Sequence, residues 1–278
     1  MDCDHVCWVC ALKTEAAPII AHLKMRKIDQ KSPFDIYKDA SDKNWLTISG
    51  IGQVNASAAT VNLFHLSNSP KWSIWINIGV AGGNMGSYGT LFLVDKVLQD
   101  NTKNKFYLGV AKGIIENRAS LLTVDKERTD YKDNIIFDME GAGFVQTAIR
   151  LVAKELIVVL KIISDGPRFP IKKLNKDKVS LLVKQNITLI EDTLSKFLTL
   201  SRIERDRCLQ PDIAHKIVLN WKFSRTQAVQ LKSLVNRVCV AKGTTDWYEE
   251  IAHFKNAKDV ILFLKNFLNS HQTDWSKT

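Results

Sequence analysis

Two short segments carry carboxylates in surroundings where a charge is costly. Residues 137–143 (FDMEGAG) place Asp138 and Glu140 among apolar and small residues, and residues 161–167 (KIISDGP) place Asp165 shortly after two isoleucines. An ionised side chain in such a setting needs a partner or a chemical role. An acid that donates a proton and an acid that binds sugar hydroxyls would both use this environment.

Each segment also has an ordinary structural interpretation. Asp165 can cap the turn that the following Gly-Pro pair predicts. Asp138 and Glu140 can lie at the solvated start of a helix over 140–153, where the helix dipole favours acids. Taken singly, each segment leaves both interpretations open.

The elements around these acids alternate between strand and helix. Residues 156–163 (LIVVLKII) are too β-branched and too continuously apolar for anything but a buried strand, and Asp165 follows it. Residues 6–12 predict a first buried strand, and a helix with Thr14 as its cap begins directly after it. Glu15 therefore lies just past the carboxyl end of a strand, where ligands bind in open α/β sheets.

Two glycine-containing segments follow further strands. A strand over 45–49 leads into residues 50–56 (GIGQVNA), which enter a helix that runs to about Leu66. A strand over 73–79 leads into residues 80–83 (VAGG), which predict a tight turn whose backbone N–H groups face a ligand. Glycine turns alone are weak signals, but in order with two acid clusters they predict a ligand site.

Four ordered motifs resemble the purine nucleoside phosphorylase and nucleosidase superfamily, most closely its methylthioadenosine/S-adenosylhomocysteine nucleosidase branch. They are residues 49–56 (SGIGQVNA), 77–83 (NIGVAGG), 138–140 (DME) and 163–165 (ISD), within a resemblance that covers about residues 5–198. The resemblance implies an α/β fold with a phosphorylase-like three-layer core and a twisted central mixed sheet. It also implies an N-ribosyl hydrolase that acts on a purine nucleoside or a 5′-substituted adenosine derivative.

The resemblance further implies a role for each matched residue. Asp165 matches the acid that protonates purine N7, Ser164 helps to orient it, and Glu15 matches the acid that activates the attacking water. Met139 and Glu140 match the positions that pack on the sugar and bind its hydroxyls. The remaining substrate-binding positions are Ala11, Ile51, Ala81, Gly82 and Lys161, the last of which stands where nucleosidases carry an arginine.

The choice of nucleophile follows from charge. Cleaving an N-glycosidic bond passes through an oxocarbenium-like sugar, so the base must leave neutral and the cation must lie near negative charge. Phosphorylases of this superfamily bind phosphate with arginines, and the corresponding stretches here offer Glu15 and Asn77 instead. Because an acid repels a phosphate dianion, the sequence favours water, with phosphorolysis as the alternative.

Two positions depart from the family pattern, and the role of a third is open. Val80 stands at a position that is commonly polar, and Glu127 falls near the place where an aromatic usually stacks on the purine. Asp125 is either a base-recognition acid or a surface acid in a turn. These differences leave the base and the 5′-substituent open.

The composition of the 278-residue chain agrees with a cytoplasmic enzyme. An acidic start, the lack of a long apolar run and five cysteines predict neither a signal peptide, nor a membrane span, nor disulfides. Cys3, Cys7 and Cys10 have the spacing of an iron–sulfur motif, but two of them fall inside the first predicted strand, which favours buried thiols. We therefore expect no cofactor and no metal.

The net charge of +10 is concentrated in the second half of the chain. A solvated helical surface is the preferred interpretation, and a nucleic-acid-binding module on the same fold is the alternative from another class. The pocket carboxylates argue against a nucleic-acid-binding module, since such a module does not need carboxylates that face an anion. Neither zinc spacing nor an RNA-binding motif supports it.

The family resemblance ends near residue 200. We expect a catalytic domain over 1–200 and a helical appendage over 201–278, with helices at 224–241 and 260–267 and a capping box at 246–249. Its aromatic residues are predicted to be packing anchors, and its apolar helix faces are expected to dock on the core or on a second subunit. A homodimer is the default assembly that the family implies.

Overall fold

The three most apolar strands lie side by side in the middle of one sheet. In the computed structural model, β1 (Val6–Cys10) pairs in parallel with β5 (Ile74–Gly83), and β5 pairs in parallel with β10 (Ile157–Asp165). Nearly all their residues are buried, as expected for strands covered on both faces. Their carboxyl ends therefore meet at the same edge of the sheet.

The structure describes residues 4–29, 31–109, 115–131, 135–209, 213–242 and 246–270. Within these ranges the sheet continues outward from β1 and closes on itself beyond β10. The outer strands are β2 (Arg26–Lys27), β3 (Asp35–Lys38) and β4 (Asn44–Ile48), in the order β1-β4-β3-β2. The other strands are β6 (Leu91–Gln99), β7 (Lys105–Tyr107), β8 (Arg118–Thr123) and β9 (Ile135–Asp138).

A closed ring results, because β5 pairs with β10, β10 with β6, β6 with β8, β8 with β9, and β9 again with β5. The β5–β10, β6–β8 and β8–β9 pairs are parallel and the β10–β6 and β9–β5 pairs are antiparallel, so the sheet is mixed. The expected α/β fold with a mixed central sheet is confirmed.

Five α-helices accompany this sheet in the described part of the chain up to Leu209. They are α1 (Lys13–His22), α2 (Gln53–Leu66), α3 (Gly141–Ala148), α4 (Lys176–Gln185) and α5 (Ile187–Leu209). Helix α2 packs on α3, and α1 packs on α4, and both pairs contact strands of the sheet. The starts of α1, α2 and α3 each follow the carboxyl end of a strand, which brings their first turns to the same edge.

Three local predictions were wrong. Residues 80–83 continue β5 and form no tight turn, because Gly82 pairs with both Asp165 and Phe137. The glycines serve close packing, since a Cβ at Gly83 would lie 2.9 Å from Ile136. The helix predicted over 140–153 ends at Ala148, and α1 has Leu12 instead of Thr14 as its N-cap.

The chain divides into two compact units, Met1–Cys208 and Leu209–Thr278. The expected boundary at residue 200 falls inside α5. The second unit contains α6 (Ile213–Asn220), α7 (Arg225–Lys242), a 3-10 helix (Asp246–Ile251) and α8 (Ala257–Ser270).

The second unit has an apolar core of its own. Leu231, Trp247 and Leu264 are at most 2% exposed, and Trp221, Phe223 and Phe254 pack against this cluster. The prediction that the aromatic residues are packing anchors is confirmed. Residues 246–249, where the capping box of a helix is predicted, lie in the 3-10 helix. Among the helices that the structure describes in either unit, none is long and apolar enough to cross a membrane.

Candidate active site

A cavity of about 240 Å³ lies at the edge where the buried strands end. It brings together nine of the ten residues that the sequence assigned to the site: Ala11, Glu15, Ile51, Ala81, Gly82, Met139, Glu140, Ser164 and Asp165. The tenth, Lys161, does not line the cavity. Its side chain is buried beneath the wall, so direct contact with a substrate does not fit its position.

Glu15 is held by the backbone. The N–H of Leu12 donates to its Oε2 and the N–H of Val80 donates to its Oε1, both at 2.9 Å. Gly79 makes room for this carboxylate, because a Cβ there would lie 2.6 Å from Oε1. Burial raises the pKa of Glu15, and the nearby Lys161 together with the two backbone donors opposes that rise.

Asp165 is held by side-chain hydroxyls. Ser164 Oγ donates to its Oδ1 at 2.6 Å, and the Tyr131 hydroxyl donates to its Oδ2 at 2.7 Å. Only 3% of Asp165 is exposed. Gly82 makes room here as Gly79 does for Glu15, because a Cβ at Gly82 would lie 2.6 Å from Asp165 Oδ2.

The two carboxylates occupy separate parts of the wall. Gly79 and Gly82 are three residues apart on β5, which is about 10 Å along an extended strand. Glu15 and Asp165 therefore do not form a close pair that shares one proton, and each can carry out its own step of a reaction.

A buried ion pair supports the wall between β9 and β10. Lys161 Nζ lies 2.8 Å from Asp138 Oδ2, and Asp138 also accepts hydrogen bonds from Thr123 Oγ1 and the Gly141 N–H, each at 2.7 Å. Burial alone would lower the pKa of Lys161, but Asp138, followed by Glu140, raises it overall. The lysine is therefore a permanent cation under an acidic wall.

Glu140 opens α3 at the same wall. Its Oε1 accepts a hydrogen bond from the Gly52 N–H at 2.9 Å. Burial and the neighbouring Asp138 raise the pKa of Glu140 to about 7, against the opposing charge of Lys161. This carboxyl group therefore exchanges its proton near neutral pH.

Several wall residues were missed by sequence reasoning. They are Leu12, Val124, Arg128, Phe137, Ile171 and Leu174, with Tyr131 behind them on Asp165. Phe137 supplies an aromatic ring to the cavity, and the Arg128 guanidinium lies 5.4 Å from the centre of that ring. No period or motif marks the 124–131 segment, so only the adjacency of Phe137 to the DME motif gave a signal.

Two other sequence candidates lie outside the cavity. Asp125 is exposed and accepts a hydrogen bond from Gln53, as a surface acid does. Cys7 and Cys10 are buried free thiols, burial raises the pKa of both, and Cys3 lies outside the described residues. Within the described ranges, no group of three or more His, Cys, Asp or Glu side chains is arranged to hold a metal ion.

No protein-family model and no curated protein sequence matches this chain. Solved structures do match its fold. A methylthioadenosine/S-adenosylhomocysteine nucleosidase from Colwellia psychrerythraea, solved in complex with adenine, aligns with a TM-score of 0.56 over 70% of this chain and 96% of its own, at 20% identity. The chain has a nucleosidase fold.

Other matches agree with this fold. The Arabidopsis thaliana 5′-methylthioadenosine nucleosidase aligns with a TM-score of 0.56 over 71% of this chain and 96% of its own, at 20% identity. The futalosine hydrolase of Helicobacter pylori aligns with the same TM-score over 70% and 98%, at 11% identity. The nucleosidase fold thus occupies about seven-tenths of the chain.

Proposed function

We propose that this chain is an N-ribosyl hydrolase, a nucleosidase that cleaves the N-glycosidic bond of a purine nucleoside or a 5′-substituted adenosine derivative. The observation that carries the proposal is the placement of Glu15 and Asp165 at separate points of one cavity, with Glu140 on the same wall. In this proposal Asp165 acts on the leaving base, Glu15 on the attacking water and Glu140 on the sugar. We assign this activity to the domain over residues 1–200.

Asp165 is the proposed general acid. Its proton moves to N7 of the purine, the bond between C1′ and N9 breaks with its electron pair going to the base, and the base leaves neutral. The sugar becomes oxocarbenium-like. The carboxylate of Glu140 lies on the wall where it can stabilise that positive charge.

Glu15 is the proposed general base. A water between Glu15 and the sugar gives one proton to the carboxylate as its oxygen bonds to C1′. Because burial raises the pKa of Glu15, this carboxylate is a better proton acceptor than an exposed glutamate. The Leu12 and Val80 N–H groups hold it in place.

Charge on the wall favours water over phosphate. Among the described residues that line the cavity, Arg128 alone is cationic, and it is hydrogen-bonded to Asp130 at 2.7 Å. Five acids share that wall: Glu15, Glu127, Asp138, Glu140 and Asp165. A phosphate dianion, and equally a nucleic-acid strand, would meet repulsion there. A purine phosphorylase remains the second candidate.

A homodimer is also part of the proposal, as is a cytoplasmic location. The apolar side chains of Ile51, Val54 and Val61 are 52%, 82% and 43% exposed, and Ile51 lines the cavity as well. A second copy that covers them would bury apolar surface beside the site. Light scattering after size exclusion should give twice the chain mass, and Val54→Asp should shift it toward the monomer.

A nucleoside panel tests the function. The purified chain is incubated with adenosine, inosine, methylthioadenosine and S-adenosylhomocysteine, with and without phosphate, and released base is measured by chromatography. We expect release of base at a rate that phosphate does not change. Release that depends on phosphate would favour the phosphorylase, and no release from any member would contradict the proposal.

A further inference from the structure

The acid Asp165 has a hydroxyl donor on each of its oxygens. Ser164, its neighbour on β10, donates to Oδ1, and Tyr131, from the β8–β9 connection, donates to Oδ2. The two distances, 2.6 and 2.7 Å, are those of hydrogen bonds from a hydroxyl to a charged carboxylate. The carboxylate form of Asp165 is thus satisfied at both ends.

Backbone packing fixes Tyr131 in this position. Its Cε1 lies 3.1 Å from the point where a Cβ at Gly82 would stand, so the ring rests against the backbone of β5. Only a residue without a side chain at position 82 leaves room for both the ring and Asp165 Oδ2. The glycine of the motif therefore accommodates the tyrosine as well as the acid.

Other charged groups face the same cavity. They are Glu15 from α1, Glu127 and Arg128 from the β8–β9 connection, Asp138 at the end of β9 and Glu140 at the start of α3. Burial, followed by the hydrogen bond to Asp165, raises the pKa of Tyr131. Its hydroxyl therefore keeps its proton and stays a donor at neutral pH.

We propose that Tyr131 is a positioning residue for the general acid: its hydroxyl orients Asp165 and stabilises the carboxylate that remains once the proton has moved to the leaving base. This inference rests on the proposed function. Tyr131 keeps its own proton throughout, so the only proton transferred to N7 comes from Asp165. Because the hydrogen bond strengthens as the carboxylate forms, it lowers the barrier to departure of the base.

The variant Tyr131→Phe removes the hydroxyl and keeps the ring. Loss of a hydrogen bond to a charged group predicts a decrease in kcat of about 10- to 100-fold with little change in KM. The basic limb of the pH–rate profile, where the acid has lost its proton, should move to higher pH, because the carboxylate form has lost a donor. Tyr107→Phe, at an exposed tyrosine of β7, is the matched control and should leave both unchanged.

Two results would overturn the inference. An unmoved basic limb would mean that Tyr131 only packs, and a higher kcat/KM in Tyr131→Phe would mean that the hydroxyl obstructs the acid. Both of these kinetic measurements require a parent chain that releases base.

A measurement without substrate separates this inference from the proposed function. The side-chain carboxyl carbon of Asp165 is followed by NMR in the unliganded, isotope-labelled chain, and Asp165→Asn identifies its signal. Tyr131→Phe should move the titration midpoint of that signal to higher pH. If it moves in a chain that releases no base, only the proposed function fails; if it does not move in an active chain, the inference about Tyr131 fails.

Discussion

The two proposed catalytic carboxylates, Glu15 and Asp165, are held by different kinds of donor. Glu15 accepts hydrogen bonds from backbone N–H groups of Leu12 and Val80, whereas Asp165 accepts them from the side chains of Ser164 and Tyr131. Backbone donors come with the fold and survive most substitutions. Side-chain donors depend on single residues. The surroundings of the general acid Asp165 (the acid end of the site) are therefore more easily altered than those of the general base Glu15 (the base end).

The largest expected effect is at the acid end. Asp165→Asn keeps an acceptor for one of the two hydroxyls and has no acidic proton to give, so kcat should fall by about two to four orders of magnitude. Initial rates on the best substrate of the panel measure this, and circular dichroism checks that the fold is intact. Near-parental rates on every accepted substrate would remove Asp165 from the mechanism.

The next effect is at the base end. Glu15→Gln can accept a hydrogen bond from only one of the Leu12 and Val80 N–H groups, because its amide nitrogen is a donor, so a modest loss of stability should accompany the loss of the general base. We expect a decrease in kcat of about two to three orders of magnitude. A large loss of thermal stability alongside the loss of rate would show instead that Glu15 is mainly structural.

Gly79 and Gly82 on β5 allow a steric comparison of the two ends of the site. The three atoms nearest to a Cβ at Gly79 all belong to the Glu15 side chain, whereas those nearest to a Cβ at Gly82 belong to Asp165 and Tyr131. Both alanine variants should displace a carboxylate, and a shift of about 1 Å can cost about 100-fold in rate. We expect Gly82→Ala to lower kcat more than Gly79→Ala. The reverse order would mean that the acid end adapts more readily than the base end.

The smallest effect concerns Glu140, which has one backbone donor and no hydroxyl. Its pKa is raised by burial to about 7, so the folded state binds its proton more tightly than the unfolded state does. The free energy of unfolding therefore decreases as pH rises from the unfolded value of about 4.5 to about 7.

Glu140→Gln should remove this pH dependence. The difference in melting temperature between variant and parent should increase by about 10 °C across that pH window, in favour of the variant. Glu116→Gln, at an exposed glutamate, is the control and should show no such trend. A variant that is less stable than the parent at pH 8 would contradict the assignment.

Sequence predicted the parts of the site that belong to strand ends. The apolar run before Asp165 and the strand before Glu15 placed both acids at one edge of the sheet, because parallel strands end together. Tyr131 and Arg128 were not predictable, because both come from the β8–β9 connection, which has no period. Tyr131 meets Asp165, and Arg128 meets the cavity wall, only in the folded chain.

The wrong local predictions have a physical reason too. Glycines at 82 and 83 indicated a turn, but pairing with β9 on one side and β10 on the other extended the strand. The resemblance implied Lys161 as a substrate ligand because it stands where nucleosidases carry an arginine. Its residue type could not reveal that Asp138 would hold it beneath the wall.

The central claim is that Glu15 directs water to C1′ while Asp165 protonates the base. It is tested most directly by running the reaction in water enriched in oxygen-18, with phosphate present, and analysing the sugar by mass spectrometry. We predict free sugar that carries one oxygen-18 at the anomeric carbon, formed at a rate that falls by orders of magnitude in both Glu15→Gln and Asp165→Asn. A ribose 1-phosphate without the label would contradict the claim.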